Sequence, residues 1–144
     1  MYHHGFDRTE IRKKKAYELS MKAFEIEPEL AEAHISLALY HYFCNRDYDK
    51  ALEEFSIVER ILPGDERLLS FVGYILRRQG HFHESLAKLK KALQLNPVNI
   101  ALNNNIAWLL LFLRDYKEAD NYYRRSLSLA PDNQVAYQEL ALYS

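Results

Sequence analysis

Few residues in this chain are suited to chemistry. His81 and His83 flank Phe82 in "GHFHE", where both imidazoles could point outward and reach a metal ion. Two ligands without a third make a poor site, because zinc takes three or four protein ligands. A pair of solvated turn histidines is the simpler reading. His3 and His4 are expected to lie in a tail, "MYHHGFD", while His34 and His41 are two helical turns apart, a spacing that suits packing. Cys44 lies by an inter-helix turn near Arg46, and a nearby cation favours a reactive thiolate, but a plain turn residue is the simpler reading. Glu53 and Glu54 read as solvated helix surface. "IRKKK" at 11–15 would suit RNA, lipid or an acidic partner, or form a plain solvated face. The chain has no Gly-rich phosphate loop, no His-Glu-x-x-His and no Gly-x-Ser-x-Gly. The expectation is a non-enzyme with no catalytic residue, no metal and no cofactor.

Composition points the same way. The chain has 144 residues, 49% of them hydrophobic, enough for one real core. Nineteen basic residues face 20 acidic ones, which argues against general binding of nucleic acid or anionic membrane. One cysteine excludes an internal disulfide and fits a reducing compartment, so the expected location is cytoplasmic. The longest apolar run, "IAWLLLFL" at 106–113, is far short of the roughly 20 residues a membrane helix needs. No secretory signal is visible at the start.

The elements that must position these residues are repeated. "RDYDKALEEF" at 46–55 returns as "RDYKEADNYY" at 114–123, and "GHFHESLAKL" at 80–89 is a weaker copy in the same register. Pro63, Pro97 and Pro131 are 34 residues apart, and Pro28 precedes Pro63 by 35. Each unit holds two helical patterns. In 65–79, Leu69, Val72, Gly73 and Leu76 recur at helical spacing behind Asp65 as N-cap. Gly80 breaks the run, and a second apolar stripe from Phe82 to Leu93 ends at Asn96-Pro97. The pattern predicts an all-α fold of antiparallel helix pairs.

These units resemble the tetratricopeptide repeat (TPR) family, whose pattern of Leu-Gly, Tyr, Ala-x₃-Phe and Pro spans 34 residues. Leu37-Ala38, His41, Ala51, Phe55 and Pro63 fill those places in one unit. Val72-Gly73, Leu76, Ser85, Leu89 and Pro97 fill them in the next, and Ile106-Ala107, Leu110, Ala119, Tyr123 and Pro131 in the last. The extra residue of the first of these lies in "FCNR". The small residues mark helix crossings, and Tyr48, Phe82 and Tyr116 are expected to fill the gap beside each turn. The resemblance implies a right-handed TPR solenoid of about eight helices. Residues 1–8 are then a tail or the remnant of a preceding helix. The array follows as a half unit at 9–28, full units at 29–63, 64–97 and 98–131, and a terminal helix at 132–144. Both ends read as incomplete, which suggests a piece of a longer array, able to self-associate through its open ends.

In this family the first helix of each unit lines a concave groove. The inward positions here are Ile35, Leu39 and Tyr42, then Arg67, Ser70, Tyr74, Arg77 and Arg78, then Asn104 and Trp108. Leu39, Tyr74, Trp108 and Leu142 occupy equivalent places and form an apolar and aromatic row. The slots by which some TPR domains clamp chaperone tails do not match here, apart from Asn105 in one register. The expected function is a protein–protein interaction module that takes a peptide or helix of a partner. Tyr74 and Trp108 would anchor it, and Arg77 and Arg78 would select acidic groups. The alternative is a structural or oligomerising segment of a larger bacterial signalling or regulatory protein. No nucleic-acid or membrane partner is expected.

Overall fold

A computed structural model of the chain describes residues 3–27 and 30–132, with the backbone alone at 3–8. Among the described residues the fold is all-α, with seven α-helices and no strand. They are α1 (His3–Ile26), α2 (Ala31–Leu39), α3 (Tyr48–Ile61), α4 (Glu66–Arg78), α5 (Phe82–Leu95), α6 (Ile100–Phe112) and α7 (Tyr116–Leu129). The expected terminal helix, with Leu142, lies outside the described residues. The chain divides into two compact units, Met1–Gly64 and Asp65–Ser144.

The first unit holds α1 to α3. Helix α1 begins at His3, not near residue 9 as the pattern suggested. No proline interrupts "HHGFDRTE", and Gly5 alone lowers helix stability by only about 1 kcal/mol. Helix α2 runs on into a π-helical turn, Tyr40–Cys44. This turn absorbs the one-residue excess of its repeat, because a π-turn accommodates an added residue without ending the helix. The hydrogen bonds across the turns record the change. Asp47 N donates to His41 O across six positions, whereas His81 N donates to Leu76 O and Asp115 N to Leu110 O across five.

The second unit holds α4 to α7. Two of its turns follow one plan with different residues. Gly80 and Arg114 both take left-handed backbone, φ 86° and 65°. The residue after each opens a helix. Asp115 accepts from Glu118 N, whereas His81 makes no side-chain cap bond. Asp65 caps α4 as the sequence predicts, accepting from the Arg67 and Leu68 amides.

The helix crossings also differ in residues and agree in purpose. Ala107 and Ala119 are fully buried, and Ala107 packs with Tyr123. In α4 and α5 the corresponding residues are Gly73 and Ser85. A Cβ on Gly73 would meet Leu89 Cδ2 at 2.6 Å and Cγ at 2.8 Å. Ser85 Oγ donates to the Gly73 carbonyl at 2.6 Å, satisfying a hydroxyl that is completely buried. Around this crossing lies a core of Leu69, Leu89, Leu93, Leu102, Ile106, Leu109 and Leu110. Helix α6 packs against both α5 and α7, so it buries residues on two faces and is apolar nearly all round. The residues expected beside the turns diverge. Tyr48 packs on Tyr42 and Phe82 on Phe112, but Tyr116 stays 50% exposed.

Candidate functional site

The outward faces of α4 and α6 build an open cleft of about 660 Å³ in the second unit. It is lined by Arg77 and Arg78 from α4, Asn104, Asn105, Trp108 and Phe112 from α6, and Phe82 and Tyr123 from α5 and α7. The helix period explains the wall. Trp108 and Phe112 are four residues apart, so their rings stand one above the other on one face. They stack with centroids 5.7 Å apart and planes at 28°. Phe82, the first residue of α5, continues the wall, its ring 4.6 Å from that of Phe112. Trp108 is 44% and Phe112 57% exposed.

Arg77 ties the two helices together. Its guanidinium lies 5.4 Å from the Tyr74 ring centroid and 5.2 Å from that of Trp108. A cation over an aromatic face is drawn to the negative face of the ring. Arg77 Nη1 also donates to Asn105 Oδ1 at 2.7 Å, and Asn105 Nδ2 donates to the Ala101 carbonyl at 2.8 Å. The Asn105 amide is thereby held with its oxygen facing the guanidinium. A group ordered before a ligand arrives loses less entropy on binding. Arg78, the last residue of α4, is exposed at the rim.

The expected groove residues separate into three groups. Arg77, Arg78, Asn104 and Trp108 line the cleft together, and Tyr74 joins them through Arg77. Arg67 and Ser70, from the first turns of α4, do not line it. The Arg67 side chain reaches Asp65 Oδ1 at 3.5 Å, and Ser70 Oγ donates to the Glu66 carbonyl. Ile35, Leu39 and Tyr42 belong to the other unit. Ile35 is buried, so it presents little surface to a ligand. Leu39 ends α2, and Tyr42 sits in the π-turn against Phe43 and Tyr48. Sequence reasoning did not assign Phe82, Asn105, Phe112 and Tyr123 to the site. The i, i+4 step from Trp108 would have found Phe112, but no sequence signal brings Phe82 to it from the next helix.

The other chemical candidates resolve into packing or surface. Histidine 34 lies edge-on to Phe24, ring centroids 4.6 Å apart, with its Nδ1 2.6 Å from Glu54 Oε2. His81 and His83 are exposed on the α4–α5 turn and the start of α5. Among the described residues, no three His, Cys, Asp or Glu side chains are placed to hold a metal ion. Also among them, no helix is long and apolar enough to cross a membrane.

Paired helices with small residues at each crossing and a cleft on the first helices define a repeat protein of the helix-pair class. The family model of the tetratricopeptide repeat matches residues 67–99 and 100–133, so these two helix pairs are tetratricopeptide repeats. Peroxisomal targeting signal receptors of Candida albicans and Saccharomyces cerevisiae are 27% and 28% identical over 85% and 81% of this chain. The chain spans only 21% and 18% of their lengths. Among solved structures, MamA superposes with a TM-score of 0.80 at 18% identity, covering 94% of this chain and 79% of its own. PilF of Pseudomonas aeruginosa gives 0.75 at 24%, covering 90% and 63%. These likenesses to solved structures show the fold alone. Tetratricopeptide repeats serve generally as protein-interaction modules.

Proposed function

We propose that this chain is a non-catalytic protein-interaction module, that residues 9–144 consist of repeats of this kind, and that it acts in the cytoplasm. The partner segment is taken on the first-helix face, with Trp108 and Tyr74 as anchors and Arg77 and Arg78 beside them. The observation that carries this reading is the aromatic wall. Trp108 and Phe112 remain about half exposed although each stacks on a neighbouring ring. Large exposed aromatics beside an arginine are the composition of binding hot spots. Two curated relatives are named as receptors for a targeting signal, which supports a recognition role. The test is capture of partners from lysate by the wild-type chain and by Trp108→Ala, with helicity checked by circular dichroism. Trp108→Ala is expected to lose the captured partner while keeping its helicity. Unchanged capture by a folded variant would remove the groove from consideration.

A second reading, self-association, is favoured by α1. Ile11, Leu19 and Ile26 lie on one face of that helix and are 63%, 60% and 78% exposed. Sedimentation at rising concentration tests it, and a strict monomer ends it.

A further inference from the structure

The cleft of the second unit has a charge character that the chain as a whole lacks. The formal net charge of the chain is −1, yet the described cleft lining holds two arginines and no carboxylate. The arginines lie beside a wall of three rings, Trp108, Phe112 and Phe82. The geometry points to one class of occupant: an internal, extended peptide segment with an aromatic side chain next to acidic ones. This inference rests on the groove reading above and names the chemistry of its ligand.

Three observations carry it. The ring wall leaves Trp108 and Phe112 about half exposed to an aromatic side chain, which gains most from offset or edge contact with other rings. Arg77 lies over the Tyr74 and Trp108 rings and is bonded to Asn105, so its charge is held beside the wall. Arg78 stands exposed at the rim, where a carboxylate can reach it without leaving water entirely. The occupant's ring therefore lies beside positive charge from the end of α4, and acidic neighbours are favoured over basic ones. An open cleft of about 660 Å³ suits a few residues of extended chain. A helix, about 10–12 Å across with its side chains, needs a wider trough than an extended chain does. Asn105 is a positioning residue here, because it acts through Arg77.

The chain contains one tryptophan, so its emission reports on the cleft directly. The probes are three N-acetylated, C-amidated peptides in a Gly/Ser background, with central triplets Asp-Phe-Asp, Lys-Phe-Lys and Asp-Ala-Asp. A fourth carries Asp-Phe-Asp at a free C-terminus. Asp-Phe-Asp is expected to shift the Trp108 emission and to bind about tenfold or more tighter than either Lys-Phe-Lys or Asp-Ala-Asp, and to weaken with salt. Arg78→Gln should weaken it about tenfold while changing Lys-Phe-Lys little. Asn105→Ala should weaken it several-fold with helicity intact. Equal or tighter binding of Lys-Phe-Lys overturns the proposal, as does no response to Asp-Phe-Asp. Binding of the free C-terminal peptide alone overturns it in favour of terminal-carboxylate recognition. None of these results removes the groove itself, which falls only if Trp108→Ala leaves partner capture unchanged.

Discussion

The helix pairs α4–α5 and α6–α7 reach the same geometry by opposite local choices. In α6–α7 the turn places Arg114 in left-handed backbone, and Asp115 caps the following helix. In α4–α5 the turn uses Gly80, which takes that backbone without a Cβ penalty, but gives up the cap at His81. The crossings trade in the same way. Ala107 stands against the flat ring of Tyr123, whereas Gly73 stands against the branched Leu89, whose Cδ2 and Cγ already fill the space of a Cβ. The repeat conserves a volume and a backbone path, not particular residues. A weaker local term at one position is offset at another within the same pair.

The comparison can be broken most severely at Leu89, which is fully buried at the α4–α5 crossing. Leu89→Ala should cost about 2–5 kcal/mol in urea unfolding, through lost burial and an unfilled cavity. Next comes Gly73→Ala. The added methyl overlaps Leu89, and the strain of about 1–3 kcal/mol outweighs the gain of about 1 kcal/mol in helix propensity. Adding Leu89→Phe to Gly73→Ala should restore stability, since it recreates the ring-against-alanine arrangement of α6–α7. A neutral Gly73→Ala, or no rescue by the ring, would refute the volume argument.

Capping sharpens the comparison on a smaller scale. Asp115→Ala should cost about 1 kcal/mol, and His81→Asp should add about 0.5–1 kcal/mol by supplying the missing acceptor. Thermal melts of the two variants should move in opposite directions. The smallest effect concerns the contact between the pairs, where Lys90 Nζ on α5 lies 2.7 Å from Glu118 Oε1 on α7. The hydrogen bond to Glu118 raises the Lys90 pKa above its usual 10.5, against a smaller opposing effect of burial. A raised folded-state pKa means the contribution is full below pH 10.5 and is lost as pH rises through the higher value. Lys90→Met should therefore flatten the stability profile on the alkaline side and leave neutral stability nearly unchanged, as expected for a surface pair.

By itself the sequence determined the helix pairs and their crossings. The 34-residue spacing of Pro63, Pro97 and Pro131 was legible because helix ends and tight crossings admit few residue types. The extra residue of the second repeat was legible too, but its form as a π-turn at Tyr40–Cys44 was not. Periodicity counts residues and does not say which hydrogen-bond pattern absorbs an added one. The candidate site was legible in part. Tyr74, Arg77, Arg78, Asn104 and Trp108 follow from the helix period, because positions three or four apart share a face. The placing of Arg77 between two rings, its bond to Asn105 and the arrival of Phe82 beside Phe112 were decided only by tertiary structure. These contacts join residues from different helices, and their geometry depends on how those helices pack.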